Sequence, residues 1–171
     1  MLAVSGELDK VAPTGSPLQK LEGPTQQIGR FGGLGNLNEN AKRSVYLPIL
    51  RDLAPEALDH FDFPDASLVS GHRDDTSVPS QALYLMNNTS VMKLAEKGAE
   101  KLIAKYLSPT ERTEAAFKLA FGRGASKTET KAAEQFLAKM QKSGTRTGGE
   151  KAAWSALLQA LYGTAEFRYL D

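Results

Sequence analysis

The densest set of reactive side chains lies in residues 60–88, whose sequence is HFDFPDASLVSGHRDDTSVPSQALYLMNN. Imidazole nitrogens and carboxylate oxygens are the ligands that zinc, iron and manganese take from proteins. The candidate ligands are His60, Asp62, Asp65, His72, Asp74 and Asp75. Their spacing matches no pair of ligands four residues apart on a helix, and Asp side chains in turns also accept backbone N–H groups. A metal site at His60, Asp62, His72 and Asp74 therefore stands as an alternative to turn chemistry.

The same stretch also contains the residue types of a site for nucleophilic catalysis. Ser77 or Ser80 with His72 and an Asp has the residue types of a hydrolase triad. No nucleophile elbow surrounds either serine, however, and a Ser before VPSQAL is typical of a helix cap. We therefore predict no catalytic residue in the chain.

The amino-acid composition and net charge of the chain exclude several classes of function. The 171 residues carry a net charge of +1 and contain no Cys, which excludes disulfides, thiolate metal sites and Cys nucleophiles. No apolar run reaches the roughly 20 residues of a membrane span, so we expect no transmembrane segment. Lys93, Lys97, Lys101 and Lys105 form a basic ridge, but Glu96 and Glu100 flank it. We predict a solvated helix face there and no nucleic-acid partner.

The second half of the chain is predicted to be helical. Three capping boxes, in which a Ser or Thr caps the helix and a Glu reaches back to it, occur as SPTE at 108–111, SKTE at 126–129 and TGGE at 147–150. Each precedes an apolar stripe at helical spacing, and Trp154 is the largest apolar anchor of the last stripe. Short connections predict that successive helices pack as antiparallel neighbours.

The first half is less regular. Residues 9–42 hold three Pro and six Gly, which predicts an irregular arm. Residues 43–50 have the character of a short extended segment, and residues 54–61 that of a short helix. A helix follows from Ser77, with Ala82, Leu83 and Met86 on one face, and NNTS at 87–90 then breaks, kinks or re-caps it.

We therefore predict a mainly α fold, a helical bundle-like domain with a Pro/Gly-rich N-terminal arm and room for one short β ribbon. Residues 1–42 are assigned to a helix remnant plus the arm, and residues 43–171 to the helical domain. MLAVSGEL at the start has the character of the last turns of a helix, so we expect the chain to be a fragment of a longer protein.

Four segments together resemble a known family. They are MLAVSGELD, RSVYLPILRD, ALDHFDFPDASLVSGHRDDTSVPSQALYLMN and LAFGRGASKTE, and in this order they resemble the planctomycete-specific domain of unknown function 1553. The resemblance implies a C-terminal part of a large, secreted, periplasmic or envelope-associated protein. Some relatives also carry haem in a separate cytochrome c-type domain, so no cofactor is expected in this chain. The family often lacks His at 60 and 72, which weakens the metal alternative.

The resemblance favours a different candidate site, made of polar residues and called the polar set here. Its members are Arg43, Tyr46, Asp62, Arg73, Gln81 and Asn87. An Arg–carboxylate pair, Arg73 with Asp62 or Asp59, would lock the irregular half onto the helices. We expect an interaction or scaffold module whose partners are other domains of the same or a companion protein. The alternative is a ligand-binding or enzymatic domain, linked to polysaccharide breakdown or electron transfer, with its site near Asp62, Arg73 and Gln81.

Overall fold

The computed structural model describes residues 1–15, 41–47, 49, 56–64, 69, 71, 76, 78–142 and 149–169. Within them the fold is mainly α, as predicted, and no strand is formed. The helices are α1 (Leu2–Ser5), α2 (Glu56–Asp59), α3 (Pro79–Asn87), α4 (Thr89–Lys105), α5 (Pro109–Phe121), α6 (Lys127–Lys142), α7 (Gly149–Tyr162) and α8 (Ala165–Arg168). None of them is both long enough and apolar enough to cross a bilayer.

The chain forms two compact units. The first, called the helical unit here, combines Met1–Glu7 with Leu85–Asp171, and the second, called the intervening unit, is Leu8–Tyr84. The boundary predicted after residue 42 stays a prediction. Helix α3 runs across the division, so its first six residues belong to the intervening unit and its last three to the helical unit.

The helical unit is built around α7. This helix packs against α4, α5, α6 and α8, and α1 packs against α4. Trp154 is 1% exposed, which confirms its predicted place in the core. The other fully or nearly buried apolar side chains of the unit are Leu85, Val91, Ala95, Ala99, Leu102, Ala116, Phe117, Ala133, Leu137, Ala153, Leu157, Leu158, Leu161 and Tyr162. Burial of this surface is the main force that holds the unit together.

Two of the three predicted capping boxes lie in the described residues and both form. The Ser108 hydroxyl accepts the Glu111 N–H at 3.2 Å while the Glu111 carboxylate accepts the Ser108 N–H at 3.3 Å. Ser126 and Glu129 exchange the same two bonds at 3.3 and 2.7 Å. Thr147 of the third box lies outside the described residues, and α7 begins at Gly149. These caps satisfy N–H groups that a helix leaves unpaired, and so they fix where α5 and α6 begin.

A buried arginine joins three helices of this unit. Arg112 on α5 is 7% exposed, and its Nε donates to the carbonyl oxygen of Tyr106 at 2.8 Å, just after α4. Its Nη1 donates to Glu150 in the first turn of α7, and its guanidinium lies 5.9 Å from the Trp154 ring. The charge is thus paired and covered by an aromatic face, which is what a buried arginine requires.

Three lysines of the basic ridge on α4 have partners within the protein. Lys97 lies 3.7 Å from Glu100, Lys101 lies 2.7 Å from Glu7, and Lys105 lies over the Tyr106 ring at 5.4 Å. These internal partners reduce the positive field that four lysines at helical spacing would otherwise project.

The intervening unit departs from the sequence prediction in two places. Ser44–Tyr46 forms a 3₁₀ helix, so the extended segment predicted at 43–50 is wrong there. Asp9 and Lys42 form an isolated parallel bridge instead of a ribbon, with the Lys42 ammonium 2.5 Å from the Asp9 carboxylate. That ion pair and a bond from Lys42 to the Val11 carbonyl oxygen, at 2.8 Å, tie the two segments together. The short helix predicted at 54–61 is present as α2.

The junction of α3 and α4 is a re-capped break, one of the predicted outcomes. Helix α3 ends at Asn87, and the Asn88 side chain accepts the N–H groups of Ser90 and Val91 at the start of α4. The face of α3 is different from the one predicted. Leu83 and Met86 are 59% and 64% exposed, while Gln81 and Leu85 are buried.

Candidate functional site

The candidate site begins with the turn that ends α2. The N–H groups of Phe61 and Phe63 both donate to the carbonyl oxygen of Leu58 at 3.2 Å, so the chain reverses directly after the helix. Asp62, at the centre of the turn, has a φ of 55°. This left-handed conformation is costly for most side chains but is tolerated by Asp. The turn therefore fixes the direction in which the Asp62 carboxylate leaves the backbone.

Both oxygens of the Asp62 carboxylate accept hydrogen bonds from Thr76. Oδ1 accepts the Thr76 hydroxyl at 2.7 Å, and Oδ2 accepts the Thr76 backbone N–H at 2.9 Å. The Gln81 side-chain amide also donates to Oδ2, at 3.4 Å. Gln81 lies in the first turn of α3 and is 2% exposed. One carboxylate thus joins the end of α2, a residue shortly before α3 and α3 itself, through bonds strengthened by its charge.

An aromatic group lies beside this cluster. The Tyr84 ring is 5.1 Å from the His60 ring and 5.8 Å from the Phe61 ring, the second pair edge to face. The His60 Nε2 is 3.8 Å from the Glu56 carboxylate. Burial raises the pKa of the Tyr84 hydroxyl, and the nearby Glu56 charge adds to the effect. The rings pack α2 against α3, one turn along α3 from Gln81.

Comparison with models of protein families shows which family the chain belongs to. The model of the family described as PSD1, Protein of unknown function (DUF1553), matches residues 1–137. The match covers most of the chain and includes α1, the whole intervening unit, and α3 through most of α6. The chain belongs to the DUF1553 family. No curated protein and no solved structure matches it.

The DUF1553 match spans the predicted polar set, which the structure brings together only in part. Asp62 and Gln81 are bonded to each other. Arg43 is exposed at the start of the 3₁₀ helix, and Tyr46 is the last residue of that helix. Asn87 is exposed at the end of α3, in the helical unit. Arg73 lies outside the described residues, as does its predicted pairing, so the site assignment stays a prediction.

Of the six candidate metal ligands, the structure describes only His60 and Asp62. Among all the described residues, no group of three or more His, Asp or Glu side chains is placed to hold a metal ion. His60 interacts with Glu56 and Tyr84, and Asp62 with Thr76 and Gln81. The remaining candidates of the metal and triad hypotheses that lie outside the described residues are Asp65, His72, Asp74, Asp75 and Ser77.

Thr76 and Tyr84 are the contacts that sequence reasoning did not assign to the site. Thr76 donates two hydrogen bonds to Asp62 across fourteen residues, a distance at which no local pattern links the two positions. Tyr84 follows Gln81 by three residues and so lies on the same side of α3. Gln81 itself was predicted as a site residue, but its burial, which requires a hydrogen-bond partner for the amide, is visible only in the structure.

Proposed function

We propose that this part of the DUF1553 protein is a non-catalytic interaction or scaffold module of a secreted or envelope-associated multidomain protein. The observation that carries the proposal is the Asp62 cluster, in which the carboxylate that ends the turn after α2 is hydrogen-bonded to Thr76 and to Gln81 of α3. A carboxylate that accepts a hydroxyl, an N–H and an amide is a structural anchor, whereas a general base must reach a substrate proton. The partners are other domains of the same or a companion protein.

The charged side chains of the helical unit support the same proposal. Arg112 binds Glu150, Arg123 binds Glu129 and Glu166, and Lys101 binds Glu7. These ionic groups fix helices relative to one another. The chain itself is assigned no cofactor, and haem is assigned to a separate domain of some relatives. A rigid helical body with internally paired charges is suited to present a fixed surface to another domain.

Association with a companion domain tests the proposal directly. The purified chain and the companion domain of the same protein are mixed at about 0.1 mM each, high enough to detect micromolar affinity. Light scattering coupled to size exclusion is expected to give a complex with the summed mass, and a pull-down is expected to retain the companion. Two separate masses together with an empty pull-down would remove the main support for an interaction module.

The alternative is a ligand-binding or enzymatic domain, linked to polysaccharide breakdown or electron transfer, with its site near Asp62, Arg73 and Gln81. The observation that favours it is the group of His60, Phe61 and Tyr84 rings next to Asp62, since aromatic faces beside a fixed carboxylate are common in binding sites. Oligosaccharide titration followed by amide chemical shifts tests this alternative. Shifts at residues 60–62 and 84 that Tyr84→Ala abolishes, but Tyr106→Ala leaves unchanged, would favour it over a scaffold.

A further inference from the structure

One side of α3 is apolar although it is exposed to solvent. Leu83 and Met86 are 59% and 64% exposed, and Pro79 is exposed as well. Their spacing of i, i+4 and i+7 places these three side chains on one face of the helix, opposite the buried Gln81. Pro79, Leu83 and Met86 are called the outer face of α3 here. All three belong to one continuous helix, so that helix alone sets their spacing.

The exposed sides of α4, α5 and α6 carry charged residues instead. Each of these helices presents lysine and glutamate side chains to solvent, for example Lys97 and Glu100, Glu111 and Lys118, and Lys131 and Glu134. By contrast, residues 76–92, which include the whole of α3, contain no Asp, Glu, Lys or Arg. A helix whose exposed side is apolar and uncharged is typical of one that another surface covers.

Two glutamine side chains fix the position of α3. Near its start, the Gln81 amide donates to the Asp62 carboxylate at 3.4 Å, within the intervening unit. At its end, the Gln159 amide of α7 donates to the carbonyl oxygens of Leu85 and Met86 at 3.1 and 2.9 Å, within the helical unit. The helix is therefore ordered before any partner binds, and a pre-organised surface loses less conformational entropy on association.

The absence of charge selects the chemistry of the partner. Nucleic acids and anionic membranes bind basic side chains, which residues 76–92 lack. A charged peptide would bury its charges here without partners. Helices that lie on lipid carry Lys and Arg on the side away from the membrane, whereas that side of α3 carries the buried Gln81. An uncharged apolar groove on a protein matches best, because such grooves bind anchors at i, i+4 and i+7.

We infer that the outer face of α3 binds an uncharged apolar groove on the companion domain of the same protein. The inference rests on the proposed function and deepens it, because it names the surface with which the interaction module binds. Ser80 and Asn87 are exposed beside the outer face, seven residues apart. They form a polar rim of the kind that surrounds an apolar interface. Asn87, a member of the predicted polar set, thus lies at the edge of the proposed surface.

A charge placed on the outer face tests the inference in the full chain. Leu83→Glu and Met86→Glu each put a carboxylate at an exposed helical position, where water solvates it in the free chain and the complex would bury it. Calorimetric titration with the companion domain should give a Kd at least about 30-fold weaker for Leu83→Glu and at least about 10-fold weaker for Met86→Glu. Circular dichroism of the free variants should match that of the wild type.

Leu119→Glu is the matched control. Leu119 is 49% exposed on α5, so the same substitution is made at a similar position of another helix. Its Kd should stay within about twofold of the wild-type value. Hydrogen exchange of the wild-type complex adds a measurement that needs no variant. Amides of residues 83–87 should exchange more slowly in the complex than in the free chain.

The outcomes separate this inference from the proposed function. If the wild-type chain forms no complex with the companion domain, both fail. If the complex forms and both outer-face variants keep the wild-type Kd, or exchange at 83–87 is unchanged, the proposed function stands and the inference is overturned. An equal loss of affinity for Leu119→Glu also overturns it. Light scattering of the chain alone and sedimentation with phosphatidylcholine vesicles test other occupants. A dimer, or vesicle binding, that Leu83→Glu abolishes would exclude the companion domain as the occupant.

Discussion

Among the described residues, the two units differ in the contacts that join distant positions of the chain. In the helical unit, side chains from α4 to α7 bury a continuous apolar surface around Trp154. In the intervening unit, the hydrogen bonds and ion pairs between distant described residues join polar groups, Asp62 with Thr76 and Gln81, and Asp9 with Lys42. Apolar burial is collective, since each side chain touches many others, whereas a polar contact depends on two or three atoms. Single substitutions should therefore act differently in the two units.

The largest effect is expected from removal of core volume in the helical unit. Leu158 is 1% exposed, and Leu158→Ala should lower the free energy of unfolding by about 2–5 kcal/mol because it removes buried methyl groups and leaves a cavity. Urea denaturation followed by circular dichroism measures the change. Leu107→Ala makes the same substitution at a side chain that is 92% exposed, and a change beyond about 0.5 kcal/mol there would contradict this interpretation.

A smaller and more local effect is expected from the polar anchor of the intervening unit. Asp62→Ala removes the acceptor of Thr76 and Gln81, which should cost about 1–3 kcal/mol of local stability. Hydrogen exchange should speed up at the Thr76 amide while amides of α5 and α7 keep their protection. Asp62→Asn tolerates the left-handed backbone and keeps one acceptor oxygen, so it should lie between wild type and Ala. Asp59→Ala, at an exposed residue of α2, is the control.

The next effect concerns a helix cap. Ser126→Ala removes the hydroxyl that accepts the Glu129 N–H and should cost about 1 kcal/mol. The loss should appear as faster amide exchange in the first turn of α6. Ser126→Asn offers a side-chain oxygen at the same position and should recover most of the stability. Equal losses for the Ala and Asn variants would mean that the cap bond contributes nothing.

The smallest effect should depend on pH. Hydrogen bonds from Arg123, with further bonds from Ser126, lower the pKa of Glu129 from 4.5 to about 2. Because the pKa of the folded state is the lower one, this stabilisation is complete above pH 4.5 and is lost as the pH falls toward 2. Arg123→Gln should raise the pKa of Glu129, as measured by carboxyl chemical shift, and flatten this part of the stability profile. An unchanged titration would contradict the assignment to Arg123.

The difference between local patterns and contacts between distant residues explains how much of the structure the sequence predicts. Capping boxes and apolar stripes are local patterns, and they located α5, α6, α7 and the core position of Trp154. The buried face of α3 depends on Gln81 reaching Asp62, nineteen residues earlier, and a pattern of apolar residues selected the opposite face. The 3₁₀ helix at Ser44–Tyr46 was missed because Val45 and Tyr46 favour extended structure while their surroundings in the fold were unknown.

Arg123 has a consequence for the order of folding. Its guanidinium binds Glu129, six residues away, and also Glu166, forty-three residues away on α8, with bonds of 2.6–2.9 Å. The second contact closes a much longer loop than the first, so we expect it to form late, after the rate-limiting step of folding. Such late contacts set how long a folded molecule survives while leaving the folding rate almost unchanged. A single exposed arginine would then act mainly on the lifetime of the helical unit.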